Sequence, residues 1–288
     1  MSLDLDALFA RPLLVTRQSY GASDVILYAF GVGCGNPDPT DPRELQFLYE
    51  ETLHVLPTMA IVLAAPSFWI KDPRYGIDWR KVLNAGQDMV LHRPLPTAGN
   101  LSTELVIDAL VDKGAEKGAL MLSHRVLRDE TGEALATIHQ THILRGNGGC
   151  GNHGEKAVAP TAPRPERAAD IVVDLPTRPE QALIYRLCGD LNPLHISPEV
   201  ATAAGFERPI LHGSCTFGIV GRAVLRAVAN DDPARLRRFA ARFSRPVLPG
   251  DTIRTEMWVE GADIHFVAQA LERDVVVLDQ GIAEIAAP

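Results

Sequence analysis

The chain is short of positive charge, of paired cysteines and of long apolar runs. Its 28 Lys and Arg are outnumbered by 36 Asp and Glu, giving a net charge of −8 over 288 residues. That deficit argues against a nucleic-acid partner and against a polybasic membrane anchor. It leaves room for an anionic ligand held in a local basic pocket. Four cysteines, Cys34, Cys150, Cys188 and Cys215, are scattered with no C-x-x-C pair. Free thiols in a reducing compartment fit this better than a disulfide framework. The longest apolar stretch, "IVLAAPSFWI", is too short to span a bilayer and holds a Pro. The opening "MSLDLDALFARP" is acidic and unlike a secretory signal, and the closing "EIAAP" is no receptor-read address such as S-K-L. The expectation is a cytoplasmic protein with no membrane partner and no nucleic-acid partner.

Several chemistry-bearing patterns are also missing. There is no H-E-x-x-H, and the two histidines of "HQTH" (139–142) sit at an odd separation, which on a strand sends them to opposite faces. No metal is therefore expected. "GSCTFG" is not G-x-S-x-G, so a serine nucleophile is unsupported. "GNGGCG" (146–151) satisfies G-x-G-x-x-G in form, but the Pro-rich chain after it cannot supply the phosphate-binding helix, which excludes a dinucleotide site.

What is present reads as a duplication. Residues 146–168, "GNGGCGNHGEKAVAPTAPRPERA", lose all apolar periodicity and read as a partly extended connector. On either side lie halves of similar size. Each runs through Arg-Pro, a Pro/Gly turn and several strand-like segments: "LHRPLPTAGNLSTELVIDALVDKG" in the first, "FSRPVLPGDTIRTEMWVEGAD" in the second. In "TIRTEMWV", Ile253, Thr255, Met257 and Val259 alternate with Thr252, Arg254, Glu256 and Trp258, the period of a half-buried strand. "DETG" (129–132) and "EGAD" (260–263) read as hairpin turns. Helices precede the second set of strands. "TRPEQALIYRLCG" offers Thr177 and Glu180 as a capping box and Gly189 as a left-handed stop. "SPEVATAAG" offers Ser197 as N-cap, Pro198 at the first helical position and Gly205 as stop. "GSCTFGIVGRAVLRAVAN" is apolar nearly all round apart from Arg222 and Arg226, as expected of a helix buried in a core and wrapped by a sheet.

Between those helices lies "GDLNPLH", residues 189–195. Two readings of it stand side by side. Asp and Asn bond their own backbone in turns, and Asn-Pro starts turns, so the loop can be purely structural. A carboxylate and an imidazole on one tight loop can also grip a water and exchange protons with it near neutral pH. Downstream, "RPILHGSCTFG" puts Gly213 at the start of the apolar helix. Its N–H is one of the unpaired first-turn donors at the positive end of the helix dipole, and the missing side chain lets a ligand approach. A donor placed there for an enolate oxygen is worth roughly 3–4 kcal/mol in the transition state.

"YRLCGDLNPLHISPEVATAAGFERPILHGSCTFG" resembles the signature of the hydratase 2 family, the (R)-specific 2-enoyl-CoA hydratases related to MaoC-type dehydratases. The first half is similar to the hydratase 2 part of peroxisomal multifunctional enzymes through "LYAFGVG", "FLYEETLHVLPT", "RPLPTAGNL", "DKG" and "GNGGCG", so the likeness runs from about residue 16 to the end. The resemblance implies an α+β double hot-dog fold: a supporting unit over residues 1–145, a linker over 146–170 and a catalytic unit over 171–288. It implies reversible hydration of a trans-2-enoyl-CoA to a (3R)-3-hydroxyacyl-CoA, with the thioester as substrate and no cofactor. Asp190 and His195 are then the water-activating pair, Asn192 their support, Gly213 the donor to the thioester carbonyl, and Glu50 of "YE" a further catalytic group. Leu191, Asn192, Pro193 and Leu194 of the loop, with Lys113 of "DKG" and Phe243 of "ARF", fall at substrate-contacting positions. Where the family has H-G-E-Q, this chain has "NAGQ", residues 84–87, so Asn84 and Ala85 take the place of a CoA-contacting pair. That departure predicts altered contacts to the thioester from the first half. Pairing of chains into a homodimer is a further expectation of the resemblance. A hot-dog thioesterase and a non-catalytic acyl-binding module are the alternatives.

Overall fold

Strict alternation of buried and half-buried positions, such as inward Ala119, Met121, Ser123, Arg125 and Leu127 on one strand, marks the strands of a large antiparallel sheet. The computed structural model describes residues 2–155 and 164–287. The first half contributes β1 (Leu14–Tyr20), β2 (Val82–Leu91), β3 (Gly99–Asp112), β4 (Ala119–Arg128) and β5 (Ala134–Leu144). A two-residue strand, β6 (His153–Gly154), pairs with β3. The second half contributes β7 (Ile171–Pro176), β8 (Leu236–Phe243), β9 (Thr252–Glu260), β10 (Asp263–Ala270) and β11 (Val275–Ile285). The sheet order is β1-β3-β4-β5-β2-β8-β11-β10-β9-β7. Each half therefore repeats one topology, its own strands in the order first, third, fourth, fifth, second. The two halves meet where β2 pairs with β8, from Gly86 opposite Arg242 to Val90 opposite Arg238. This is the duplicated unit read from the sequence, in the double hot-dog arrangement that the resemblance implies.

The two units differ in what lies inside the sheet. Six short or medium helices are present among the described residues: α1 (Leu5–Leu8), α2 (Ala22–Gly31), α3 (Pro42–Leu45), α4 (Gln181–Tyr185), α5 (Pro198–Ala203) and α6 (Gly213–Val228). The 16-residue α6 is the apolar segment expected to be wrapped, and Phe217, Val220, Ala223 and Val224 are fully buried against β7, β8, β9 and β11. Each such large side chain contributes roughly 1.5–3 kcal/mol by leaving water. In the first half, no helix of that length fills the matching space among the described residues. A 3-10 turn, Pro57–Ile61, packs against α6, β2 and β5 instead. Thr58 sits against the Gly221 backbone, where a Cβ would lie 2.7 Å from the Thr58 methyl.

Some local expectations change in the folded chain. The Thr177 hydroxyl donates to the Asp251 carbonyl at 2.8 Å, so the expected capping box with Glu180 does not form and α4 starts at Gln181. Tertiary bonding captured the cap residue. Ser197 caps α5 through the Val200 N–H, as its sequence indicates. Trp258, which alternates with the inward Ile253, Thr255 and Met257, is also fully buried: its indole donates to the Arg167 carbonyl at 2.8 Å, and Arg164 lies over the ring. The outer face of β9 is covered there by the chain around residues 164–170.

Of the connector, residues 156–163 lie outside the described residues. Its first part is pinned to the first unit, where the Asp112 carboxylate accepts the Gly149 and Gly151 N–H groups at 2.9 Å each. Among the described residues no helix is long and apolar enough to cross a membrane.

Candidate active site

The site begins with a helix that has to stop. After α4, a 3-10 turn at Arg186–Cys188 ends on Gly189, whose φ of 118° is open to glycine and strained for other residues. The chain reverses and Asp190 follows. Its carboxylate accepts the Asn192 N–H at 3.2 Å, and the Asn192 side chain accepts the Leu194 N–H at 3.1 Å. Asn192 thereby caps a second 3-10 turn, Pro193–His195, which delivers His195 into the interior. The turn bonds expected of "GDLNPLH" form, and they are what position Asp190 and His195.

His195 is buried, and its Nδ1 lies 2.8 Å from the Ile210 carbonyl. A carbonyl can only accept, so Nδ1 carries the proton and Nε2 is left bare, the form that takes a proton from water. Burial lowers the His195 pKa, and the Asp190 carboxylate opposes that shift. The imidazole is consequently neutral at pH 7, with a carboxylate beside it to stabilise the charged form once a proton arrives.

One residue of the site escaped the sequence reading. His212, at the N-cap of α6, is fully buried and stacks on His195 with ring centroids 3.7 Å apart and planes 28° off parallel. Its Nε2 donates to the Asp190 backbone carbonyl at 3.1 Å, tying the two halves of the site together. Its Nδ1 is buried without a partner. Burial and the neighbouring His195 push its pKa down to about 2. The signal for it in the sequence is the "HG" that opens the apolar helix.

One ligand atom each from Asp190, His195 and His212 lie within 4.8 Å of one another, the one His/Asp cluster of that kind among the described residues. Ring-nitrogen lone pairs lie in the ring plane. In two stacked rings they run side by side and do not converge on one ion, as a tetrahedral metal requires. A carboxylate beside two buried imidazoles is suited instead to exchanging protons with a bound water.

Gly213 follows His212 as the first residue of α6, so its N–H has no carbonyl within the helix to bond. The Phe243 ring packs against it: a Cβ at Gly213 would lie 3.1 Å from the ring. Phe243 ends β8, and Gly86 of β2 pairs with Arg242, which places Ala85 and Asn84 beside Phe243 across the seam between the units. Lys113 is exposed in the β3–β4 turn. It lies on the rim of the sheet where Asp112 pairs with Ala119, and Leu144 pairs with both Ala119 and Val82. Three strand spacings separate it from β2, roughly 15 Å. Of the loop positions, Leu191 is exposed while Pro193 and Leu194 are half-buried.

The structure does not join every expected residue to this centre. Glu50 sits in an exposed 3-10 turn, Glu50–Thr52, and among the described residues no hydrogen bond or ion pair connects it to Asp190 or His195.

Residues 18–146 match the family pattern of the MFE-2 hydratase 2 N-terminal domain, and residues 160–280 that of the MaoC like domain. The enoyl-CoA hydratase ChsH3 of Mycobacterium tuberculosis is 37% identical over 98% of this chain and 98% of its own. The chain belongs to the MaoC-like hydratase 2 family. The peroxisomal enoyl-CoA hydratase 2 of Arabidopsis thaliana is 36% identical over 95% of this chain and 93% of its own. A MaoC-like dehydratase from Phytophthora capsici superposes with a TM-score of 0.86 at 32% identity, covering 99% of this chain and 100% of that one.

Buried neutral imidazoles leave a signature in acid. His142, in β5, is pushed down to about 4 by burial, and His212 to about 2. Both folded values lie below the unfolded 6.5, so the stability they carry is present above pH 6.5 and is lost as pH falls from there towards the folded values. By pH 5 each withdraws about 2 kcal/mol relative to neutral pH. Urea midpoints at pH 7 and pH 5 should show this, and His142→Leu should flatten the dependence. A pH-independent midpoint would contradict the buried neutral assignment.

Proposed function

We propose that this protein catalyses the reversible syn hydration of a trans-2-enoyl-CoA to a (3R)-3-hydroxyacyl-CoA. One observation carries the reading: a carboxylate oxygen of Asp190 and a ring nitrogen each of His195 and His212 lie within 4.8 Å of one another, and His212 directly precedes Gly213, the first residue of α6. The Gly213 N–H bonds the thioester oxygen and stabilises the enolate as it forms. Asp190 and His195 orient water, its oxygen bonds to C3, and its proton passes to the pair. A proton from the same pair goes to C2, which completes addition on one face and leaves the pair as it began. Neither step calls for a redox group or an ion. Phe243 closes one side of the thioester position, with Asn84 and Ala85 beside it across the seam, and Lys113 on the same rim suits the phosphates of CoA. Glu50 lacks such geometric support, and a role for it would have to arise on substrate binding.

The assay is loss of the enoyl-thioester absorbance with crotonyl-CoA, with chiral analysis of the product. Release of free CoA from a saturated acyl-CoA without hydration would replace this reading with a thioesterase. The domain assignment we propose keeps residues 1–145 as the supporting unit and 171–288 as the catalytic one. Pairing into a homodimer is supported by Leu183, Leu187 and Leu191, apolar side chains left exposed on the segment that leads into the site. A cytoplasmic location is in keeping with four cysteines that form no C-x-x-C pair.

A further inference from the structure

On the inner face of the first unit, the sheet carries an uninterrupted polar patch where an apolar face is expected. A bulge at Ala85 separates two register pairs, Asn84 opposite His142 and Gln87 opposite Gln140. The extra residue restores the same side-chain direction on both, so all four polar side chains share one face. That face is the inner one, because Met89 and Ile138, the next pair but one, are fully buried in the main core. Ser123 of β4, opposite Gln140, adds a fifth polar group with 2% exposure.

The patch divides two hydrophobic clusters. On one side are Met89, Ile138 and the Pro57–Ile61 turn; on the other are Met121 and Leu144, covered by Ile70, Tyr75 and Ile77. Gln87 is 4% exposed, yet neither atom of its amide has a partner. The Asn84 Oδ1 and the His142 Nδ1 are buried and unpartnered as well. Such groups each cost about 1–3 kcal/mol when left bare, so the cluster holds hydrogen-bonding capacity that no protein group among the described residues takes up. The patch also adjoins the reacting centre. Gln87 is opposite Ala241 on β8, and Phe243, two residues on and facing the same way, lies against Gly213.

We propose that this patch binds a neutral oxygen on the acyl chain, a hydroxyl or ketone several carbons beyond the double bond, and so selects oxygenated enoyl-CoA substrates over plain alkyl ones. The inference rests on the hydratase reading. A thioester bound at Gly213 extends two arms. The CoA arm must end in solvent because its nucleotide is too large to bury, which leaves the buried direction to the acyl arm. None of the five groups is cationic, and burial keeps His142 neutral, so the patch itself suits an uncharged oxygen. The amide of Gln87 offers both a donor and an acceptor, which suits a hydroxyl in either role.

The test uses trans-2-decenoyl-CoA and its hydroxylated forms carrying the hydroxyl at C6, C7 or C8, with crotonyl-CoA as the control for hydration itself. One hydroxylated isomer should exceed the plain chain about tenfold in kcat/KM, the worth of one net hydrogen bond. Gln87→Leu and Gln87→Met should bring that ratio to or below one. Their melting temperatures should equal or exceed that of the parent, because the amide bonds nothing in the free protein. If no isomer outruns the plain chain, the proposal fails. It fails equally if both Gln87 variants lower the hydroxylated and plain substrates by one common factor, which would assign the amide to the CoA arm, or if both melt far below the parent. Absence of crotonyl-CoA hydration in the parent would instead overturn the hydratase reading.

Discussion

Asp190→Asn should lower turnover of crotonyl-CoA by about a thousandfold, and His195→Gln by a similar factor, with the fold intact in both. The asparagine keeps the shape of Asp190 and the bond from the Asn192 N–H, but it cannot take a proton or stabilise an imidazolium. The glutamine can still donate to the Ile210 carbonyl in place of Nδ1, but it offers no base towards the water. The two side chains act on one proton and one water, so the losses should not add. The double variant should be close to the worse single one. Circular dichroism and melting curves separate chemistry from folding. Near-normal rates in both single variants would remove Asp190 and His195 from the mechanism, whatever their geometry.

The second large effect is on stability. Glu44, in α3 of the first unit, accepts from Arg222 of α6 at 2.9 and 2.8 Å, and Arg226 also reaches it. The side chains of Arg222 and Glu44 are 6% and 7% exposed, and the Arg222 Nη1 donates to the Val32 carbonyl at 2.7 Å. Glu44→Gln keeps the volume but leaves the guanidinium charge buried with only neutral acceptors. Removing one partner of a buried pair costs about 3–5 kcal/mol, which for a chain of this size lowers the melting temperature by about 10 °C. Converting both, as Glu44→Leu with Arg222→Met, should recover much of the loss because no charge is then stranded between these positions. Chemical denaturation of the three variants decides it, and a double variant as weak as Glu44→Gln alone would show that the pair is more than balanced charge. The same arginines that break the apolar run of α6 in the sequence are what bind it to the other unit.

Much of the site could be read along the chain because its parts are local. Asp190, Asn192 and His195 lie within six residues, and turn chemistry that any Asp-x-Asn-Pro sequence favours brings them together. Gly213 was legible as a helix start, and Phe243 as a family position. His212 was missed because its role depends on a ring stacked beneath it from a loop 17 residues away. The Thr177 cap failed for a related reason: a carbonyl 74 residues distant took its hydroxyl. Trp258 broke the alternation of β9 because distant chain covers its outer face.

The sequence by itself determined the duplicated units, the wrapped helix and the loop that aims an acid and an imidazole, since periodicity, capping and turns are short-range properties of the chain. Only the tertiary structure decided which tautomer His195 adopts, that His212 lies under it, and that a bulge turns Asn84 and Gln87 to one buried face. Those outcomes depend on strand register and on partners far apart in sequence, and register is settled by the packing of both units together.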